Sequence, residues 1–69
     1  MIKVGQIWSF DAVEFVVTKY YTFTDRFDCI YKTGEADSWS KAYIEEYGKF
    51  IAEYPTWQEA VNSKEFKGE

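Results

Sequence analysis

The sequence predicts a small, mainly β domain with a short C-terminal α-helix, of SH3-like barrel form, with an OB-like barrel or an open α+β sheet as alternatives. Three observations predict it. Apolar and polar residues alternate with period two through most of the first half, interrupted by turn signals. A helix-start pattern, Thr56-Trp57-Gln58-Glu59, occurs late in the chain. The chain of 69 residues carries 3 Trp, 6 Tyr and 6 Phe, side chains that suit a half-buried pleated surface.

The first strand is carried by Val4, Gln6, Trp8 and Phe10, which alternate with Lys3, Gly5 and Ser9, with Ile7 as the exception. Asp11-Ala12 separates it from a second strand over residues 14–23, and so short a link makes the two a hairpin. Strict alternation puts Phe15, Val17, Tyr21 and Phe23 on one face of the second strand and Val16 and Tyr20 on the other. Thr24-Asp25-Arg26 is a turn. Phe27, Cys29, Tyr31 and Thr33 then define a third strand. Thr33-Gly34-Glu35 turns the chain again, with Gly34 free to take a positive φ. A short fourth strand surrounds Trp39, so the meander is antiparallel.

Ser40 is an N-cap, and Tyr43, Ile44 and Tyr47 follow with helical spacing for one or two turns closed by Gly48. Residues 49–54 return to strand, with Phe50, Ala52 and Tyr54 on one side, and Pro55 ends it. Thr56 and Glu59 have capping-box spacing and open the last helix. Its apolar face is Trp57, Ala60 and Val61. It ends near Ser63-Lys64, plugs one opening of the sheet and is followed by Phe66 as an anchor. Residues 67–69 should fray.

Size limits what this domain can be. Residues 1–69 form a single domain, and a chain this short buries only about 60% of its unfolded surface. A stapling disulfide is excluded by the lone Cys29, and the usual zinc sites are excluded by the absence of histidine. The aromatic side chains therefore replace the staple, with Trp8, Phe10, Phe15, Phe27, Phe50 and Trp57 as core. The lone thiol fits a reducing, cytoplasmic compartment. The apolar runs are three residues long, far short of the roughly 20 that span a bilayer, so no membrane association is expected. The formal net charge is −4 and falls wholly in the second half, which argues against nucleic acid as the partner.

No catalytic constellation emerges, and no cofactor is implied. Cys29 lies between Phe27 and Tyr31 without a histidine or cation to activate it, and reads as a packing residue. The pairs Asp25/Asp28 and Glu45/Glu46 read as solubilising charge. The protein is expected to be a binder and no enzyme.

The expected binding residues are Tyr20, Tyr31, Tyr43 and Tyr47, with Glu45 and Glu46 supplying electrostatic steering. Ile7, Val16 and Ile30 share the nominally outer face of the sheet. So short a chain tips the balance toward leaving this face partly exposed as a binding patch. Lys19, Arg26 and Lys32 near Tyr20 and Tyr31 permit a second reading, the stacking of single-stranded bases. A third is a structural subunit of a virion or oligomer. The acidic second half also admits mimicry of nucleic-acid phosphates, although a charge of this size is ordinary for a small soluble domain.

The stretches Lys3-Val4-Gly5-Gln6-Ile7-Trp8, Phe15-Val16-Val17-Thr18 and Tyr54-Pro55-Thr56-Trp57-Gln58-Glu59-Ala60-Val61, with Lys64-Glu65-Phe66, resemble small SH3-like proteins of phages and prophages of Gram-positive bacteria. The resemblance covers the ends better than the middle and implies no site residue. It implies a mobile-element origin and a role in binding and inhibiting, or modulating, a host protein by steric occlusion, in the host cytoplasm.

Overall fold

Alternation, turn chemistry and two capped helices combine into an antiparallel sheet covered on both sides. The computed structural model describes residues 1–67. Five strands, β1 (Gln6–Phe10), β2 (Val13–Tyr21), β3 (Arg26–Tyr31), β4 (Ala36–Ser40) and β5 (Lys49–Glu53), form one open antiparallel sheet in the order β4-β3-β2-β1-β5. Helix α1 (Lys41–Tyr47) links β4 to β5, and α2 (Trp57–Val61) and α3 (Lys64–Lys67) follow β5.

The turns carry the chemistry expected of them. Asp11 and Asp25 take φ values of +57° and +55° and Gly34 takes +93°, the left-handed region that Asp tolerates and Gly adopts without strain. Ser40 accepts a hydrogen bond from the Tyr43 N–H, and Thr56 accepts one from the Glu59 N–H. Each satisfies a donor the helix start would leave unpaired. The last helix ends earlier than expected, at Val61, and Lys67 belongs to the separate turn α3. The remaining residues of the expected frayed end, 68–69, lie outside the described part.

Gly48 does close α1, by an unexpected route. Its φ is −85°, ordinary extended backbone, and its N–H donates to the Ile44 carbonyl at 2.7 Å. A Cβ here would run into that same carbonyl oxygen and sit 3.1 Å from the Trp8 ring. Glycine is needed for close approach. Gly48→Ala is expected to destabilise the fold by about 1–3 kcal/mol, as overpacking does, read as a lowered midpoint in thermal or urea unfolding.

The first face of the sheet buries Phe15, Val17, Phe27 and Cys29 beneath Ile44 of α1 and Ile2 of the N-terminal segment. The second buries Ile7 and Val16 beneath Ala60 and Phe66, with Trp57 and Val61 packed around them. The expected partial exposure of the second face is thus corrected. Ile7 and Val16 have no exposed surface, and Ile30 is partly buried in the same cluster. The physical reason is that α2 and α3 return over the sheet and remove this apolar surface from water.

A bulge corrects the assignment of β2. Pairing with β3 runs Val17↔Cys29, then Lys19↔Asp28 and Tyr20↔Phe27, so Thr18 is an extra residue. One inserted residue reverses the inside–outside alternation beyond it. Tyr20 therefore shares the first face with Phe27, their ring centroids 4.7 Å apart. Tyr21 turns to the second face, where its hydroxyl donates to Asp28 at 2.7 Å. Phe23, expected in the core, is fully exposed in the turn beyond β2. Phe50 is also displaced from the expected core. It is 49% exposed at the sheet edge, with its ring edge-on to Trp8 at 5.7 Å and a second register shift, between Ile7 and Trp8, in the β1–β5 pairing.

Candidate functional site

The site grows outward from the core as a continuous series of rings. Phe15, wholly buried in the central strand, lies 4.8 Å from Phe10 at the end of β1. Phe10 meets Trp39 of β4 at 5.1 Å and Tyr43 of α1 at 5.3 Å, edge-on in both cases. Trp39 stacks on Tyr43 at 5.0 Å and 21°, and Tyr43 touches Tyr47 at 4.8 Å. Trp39 is half-buried, Tyr43 is 42% exposed and Tyr47 is 64% exposed. An aromatic wall thus runs from the buried sheet to solvent.

Local structure explains the convergence. Trp39 pairs opposite Phe27 on the first face, and Ser40 then starts α1 at once. Tyr43 and Tyr47 are four residues apart on that helix and lie one above the other. Tyr31, at the end of β3, joins the wall through polar contacts. The Trp39 indole N–H donates to the Tyr31 hydroxyl at 3.0 Å, and that hydroxyl donates to Asp37 at 3.2 Å. Burial pushes the Tyr31 phenol above its ordinary pKa; the Asp37 carboxylate raises it further and the Trp39 N–H opposes the rise. The phenol therefore stays neutral at physiological pH and holds the indole and carboxylate in register.

Tyr31, Tyr43 and Tyr47, expected as binding residues, are brought together. Glu46, three residues after Tyr43, borders the two α1 tyrosines and is exposed. Glu45, also exposed, projects about 200° around the helix axis from Tyr43 and lies off the wall. Tyr20 is set apart as well. Its hydroxyl donates to Asp25 at 2.7 Å, and its ring packs on Phe27 away from α1's tyrosines. Trp39 and Phe10 join the wall without having been expected there, and so does Asp37, which the sequence places only among the acidic residues of the second half. The spacing of Trp39, Tyr43 and Tyr47, four residues each time, was the signal that could have found the first of them.

The cations keep apart from the rings of the wall. Lys19 lies 5.0 Å from the centroid of the Tyr21 ring on the second face. Arg26 donates to the Ser38 hydroxyl and carbonyl at 3.2 and 3.0 Å, and Lys32 pairs with Glu14 at 3.2 Å. The bulge has put Tyr20 on the face opposite Lys19. Tyr20, the ring expected to stack bases beside Lys19, does not share a face with it, whereas Tyr21 does.

Cys29 is fully buried with its Sγ 3.8 Å from the Phe27 carbonyl. Burial pushes the thiol pKa up to about 12, reinforced by the Asp28 and Asp37 carboxylates. A thiol so held is un-ionised and inert at neutral pH. Native protein at pH 8 is expected to resist iodoacetamide, and denatured protein to react within minutes, with mass spectrometry as the readout. The raised value also has a stability consequence. Up to the thiol's ordinary 9.0 this group leaves stability intact. Between 9.0 and about 12 the unfolded chain releases a proton that the fold retains, so stability falls, by up to about 1.4 kcal/mol per pH unit.

Among the described residues, no three His, Cys, Asp or Glu side chains converge as metal ligands, and no helix is long and apolar enough to cross a membrane. What the wall offers chemically is contact: flat, partly hydrated ring faces bordered by Asp37 and Glu46. No protein-family model matches the chain, and no curated protein or solved structure matches it significantly.

Proposed function

We propose that the chain is a non-catalytic protein-binding module, a small SH3-like domain that acts in the cytoplasm by covering a surface of a partner protein. The phage-type resemblance of its two ends makes a host protein the partner and inhibition or modulation the outcome. One observation carries this reading. Trp39, Tyr43 and Tyr47 form a contiguous, partly exposed aromatic surface that is anchored from behind by Phe10 and Phe15. Tyr and Trp anchors supported by a packed layer are the side chains from which interface hot spots are made. Asp37 and Glu46 at its border favour a partner with a cationic surface, and the overall charge of −4 steers that encounter. The SH3-like assignment is supported by a strand order in which β1 pairs with both β2 and β5, and by the short helix between β4 and β5.

The test is affinity capture from host lysate at two salt concentrations, with wild type beside three variants. A partner that is lost with Tyr43→Ala, weakened by Glu46→Lys and by added salt, and retained by Tyr20→Ala supports the wall. Retention by all three variants would show that the wall is not the binding surface.

A further inference from the structure

Tyr20, which the β2 bulge turns onto the first face against Phe27, lines a pocket of its own. This pocket, about 420 Å³ in volume, lies between the N-terminal segment, β2, β3 and the start of α1. Its apolar lining includes Ile2, Val4, Tyr20 and Phe27, and its charged lining residues are Lys3 and Lys41. Among the described residues no carboxylate lines it, in a chain with 12 acidic and 8 basic residues. The volume falls within the roughly 300–1,000 Å³ typical of small-molecule sites.

Both sides of the pocket are held by hydrogen bonds. On one side, the Asp25 carboxylate accepts from the Tyr20 hydroxyl at 2.7 Å, while the Asp25 carbonyl accepts from the Lys41 N–H at 2.9 Å. One turn residue thus positions the ring in the pocket and the residue that brings in the ammonium. On the other side, the buried Gln6 amide accepts from the Lys3 N–H and donates to the Met1 carbonyl, both at 3.0 Å. The same amide accepts from the Trp8 indole and donates to Glu53, both at 2.9 Å. Two of these four hydrogen bonds pin the N-terminal segment, the other two tie the same side chain to β1 and β5, and Ile2 anchors the segment in the core.

We infer that this pocket is a second binding site, distinct from the wall, and that its ligand is a medium-chain aliphatic carboxylate. The apolar lining takes the tail, and Lys3 and Lys41 take the head. The two ammonium groups are compact point charges without a guanidinium fork or a cradle of backbone N–H groups. Two such charges at the edge of an apolar pocket fit a single compact anionic head on an aliphatic tail, which a fatty carboxylate supplies.

The test is an NMR titration of the whole chain with sodium octanoate, following the Tyr20, Phe27 and Lys41 backbone amides. Butyrate, octanol and octylammonium serve as comparison ligands. Saturable shifts with octanoate are expected. Butyrate should bind at least about tenfold more weakly, since each buried methylene contributes about 0.8 kcal/mol. Octanol should bind several-fold more weakly than octanoate, and octylammonium should not bind. Lys3→Glu with Lys41→Glu should abolish the preference for octanoate over octylammonium, and Tyr20→Ala should weaken octanoate at least about fivefold. Tyr43→Ala should leave octanoate binding unchanged, which separates this site from the wall. Absence of saturation, equal binding of octylammonium by wild type, or shifts centred on Tyr43 and Tyr47 would overturn the assignment.

Discussion

Phe15→Ala is expected to remove most of the stability of the fold. Phe15 has no exposed surface and sits in the central strand, between Phe10 at 4.8 Å and Tyr31 at 6.5 Å. Truncating a buried phenylalanine costs about 3–5 kcal/mol through lost transfer energy and the cavity left behind. A domain of this size has only about 3–10 kcal/mol to lose, at roughly 0.05–0.15 kcal/mol per residue. Urea titration followed by circular dichroism should show a midpoint near zero denaturant or a partly unfolded baseline. Phe23→Ala is the matched control. The two phenylalanines fall on one face by simple alternation, yet Phe23 is fully exposed, and its loss should change stability by no more than about 0.5 kcal/mol. Equal effects of the two substitutions would contradict the placement of Phe23 in an exposed turn beyond β2.

Tyr43→Ala is expected to weaken the captured partner about 30-fold or more, the equivalent of the roughly 2 kcal/mol that defines a hot spot. Tyr43 sits at the middle of the wall, touching Phe10, Trp39 and Tyr47 at 5.3, 5.0 and 4.8 Å. Its removal both deletes an exposed ring and loosens its neighbours. The cost to the fold should stay at the level of aromatic pair contacts, about 0.5–1.5 kcal/mol each, so the variant should still unfold cooperatively. Tyr47→Ala gives an independent reading, since among the described residues its ring meets that of Tyr43 alone. Binding measured by calorimetry on purified partner, beside thermal unfolding of each variant, separates loss of contact from loss of fold.

The local features were legible in the sequence because short-range chemistry decides them. Ser40 and Thr56 cap helices since a hydroxyl at that position satisfies a free N–H, whatever the rest of the chain does. Asp11, Asp25 and Gly34 turn the chain because they tolerate positive φ. Tyr43 and Tyr47 share a side of α1 by spacing alone, and Cys29 is buried because it alternates with other inward residues of β3. Tyr31, Tyr43 and Tyr47, expected as binding residues, are accordingly close together.

The misses were long-range. Tyr20 and Tyr21 changed sides because β3 pairs with β2 around an extra residue, and nothing within β2 marks Thr18 as that residue; Phe23 is exposed because the strand ends before it, at Tyr21. Trp39 and Phe10 enter the wall only because β4 and β1, non-adjacent strands of the sheet, send side chains to the same end of one face. Ile7 and Val16 were covered by α2 and α3, which follow them by about forty residues or more.

The sequence by itself therefore determined a mainly β chain, its turns and caps, the inert cysteine and the paired tyrosines of α1. Each rests on contacts within a few residues or on alternation along one strand. Only the tertiary structure decided which aromatics face solvent, and that the lining of the Lys3–Lys41 pocket includes none of the rings of the wall. Those outcomes depend on strand register and on which segment folds back over which face. One inserted residue or one returning helix reverses them without altering the local pattern.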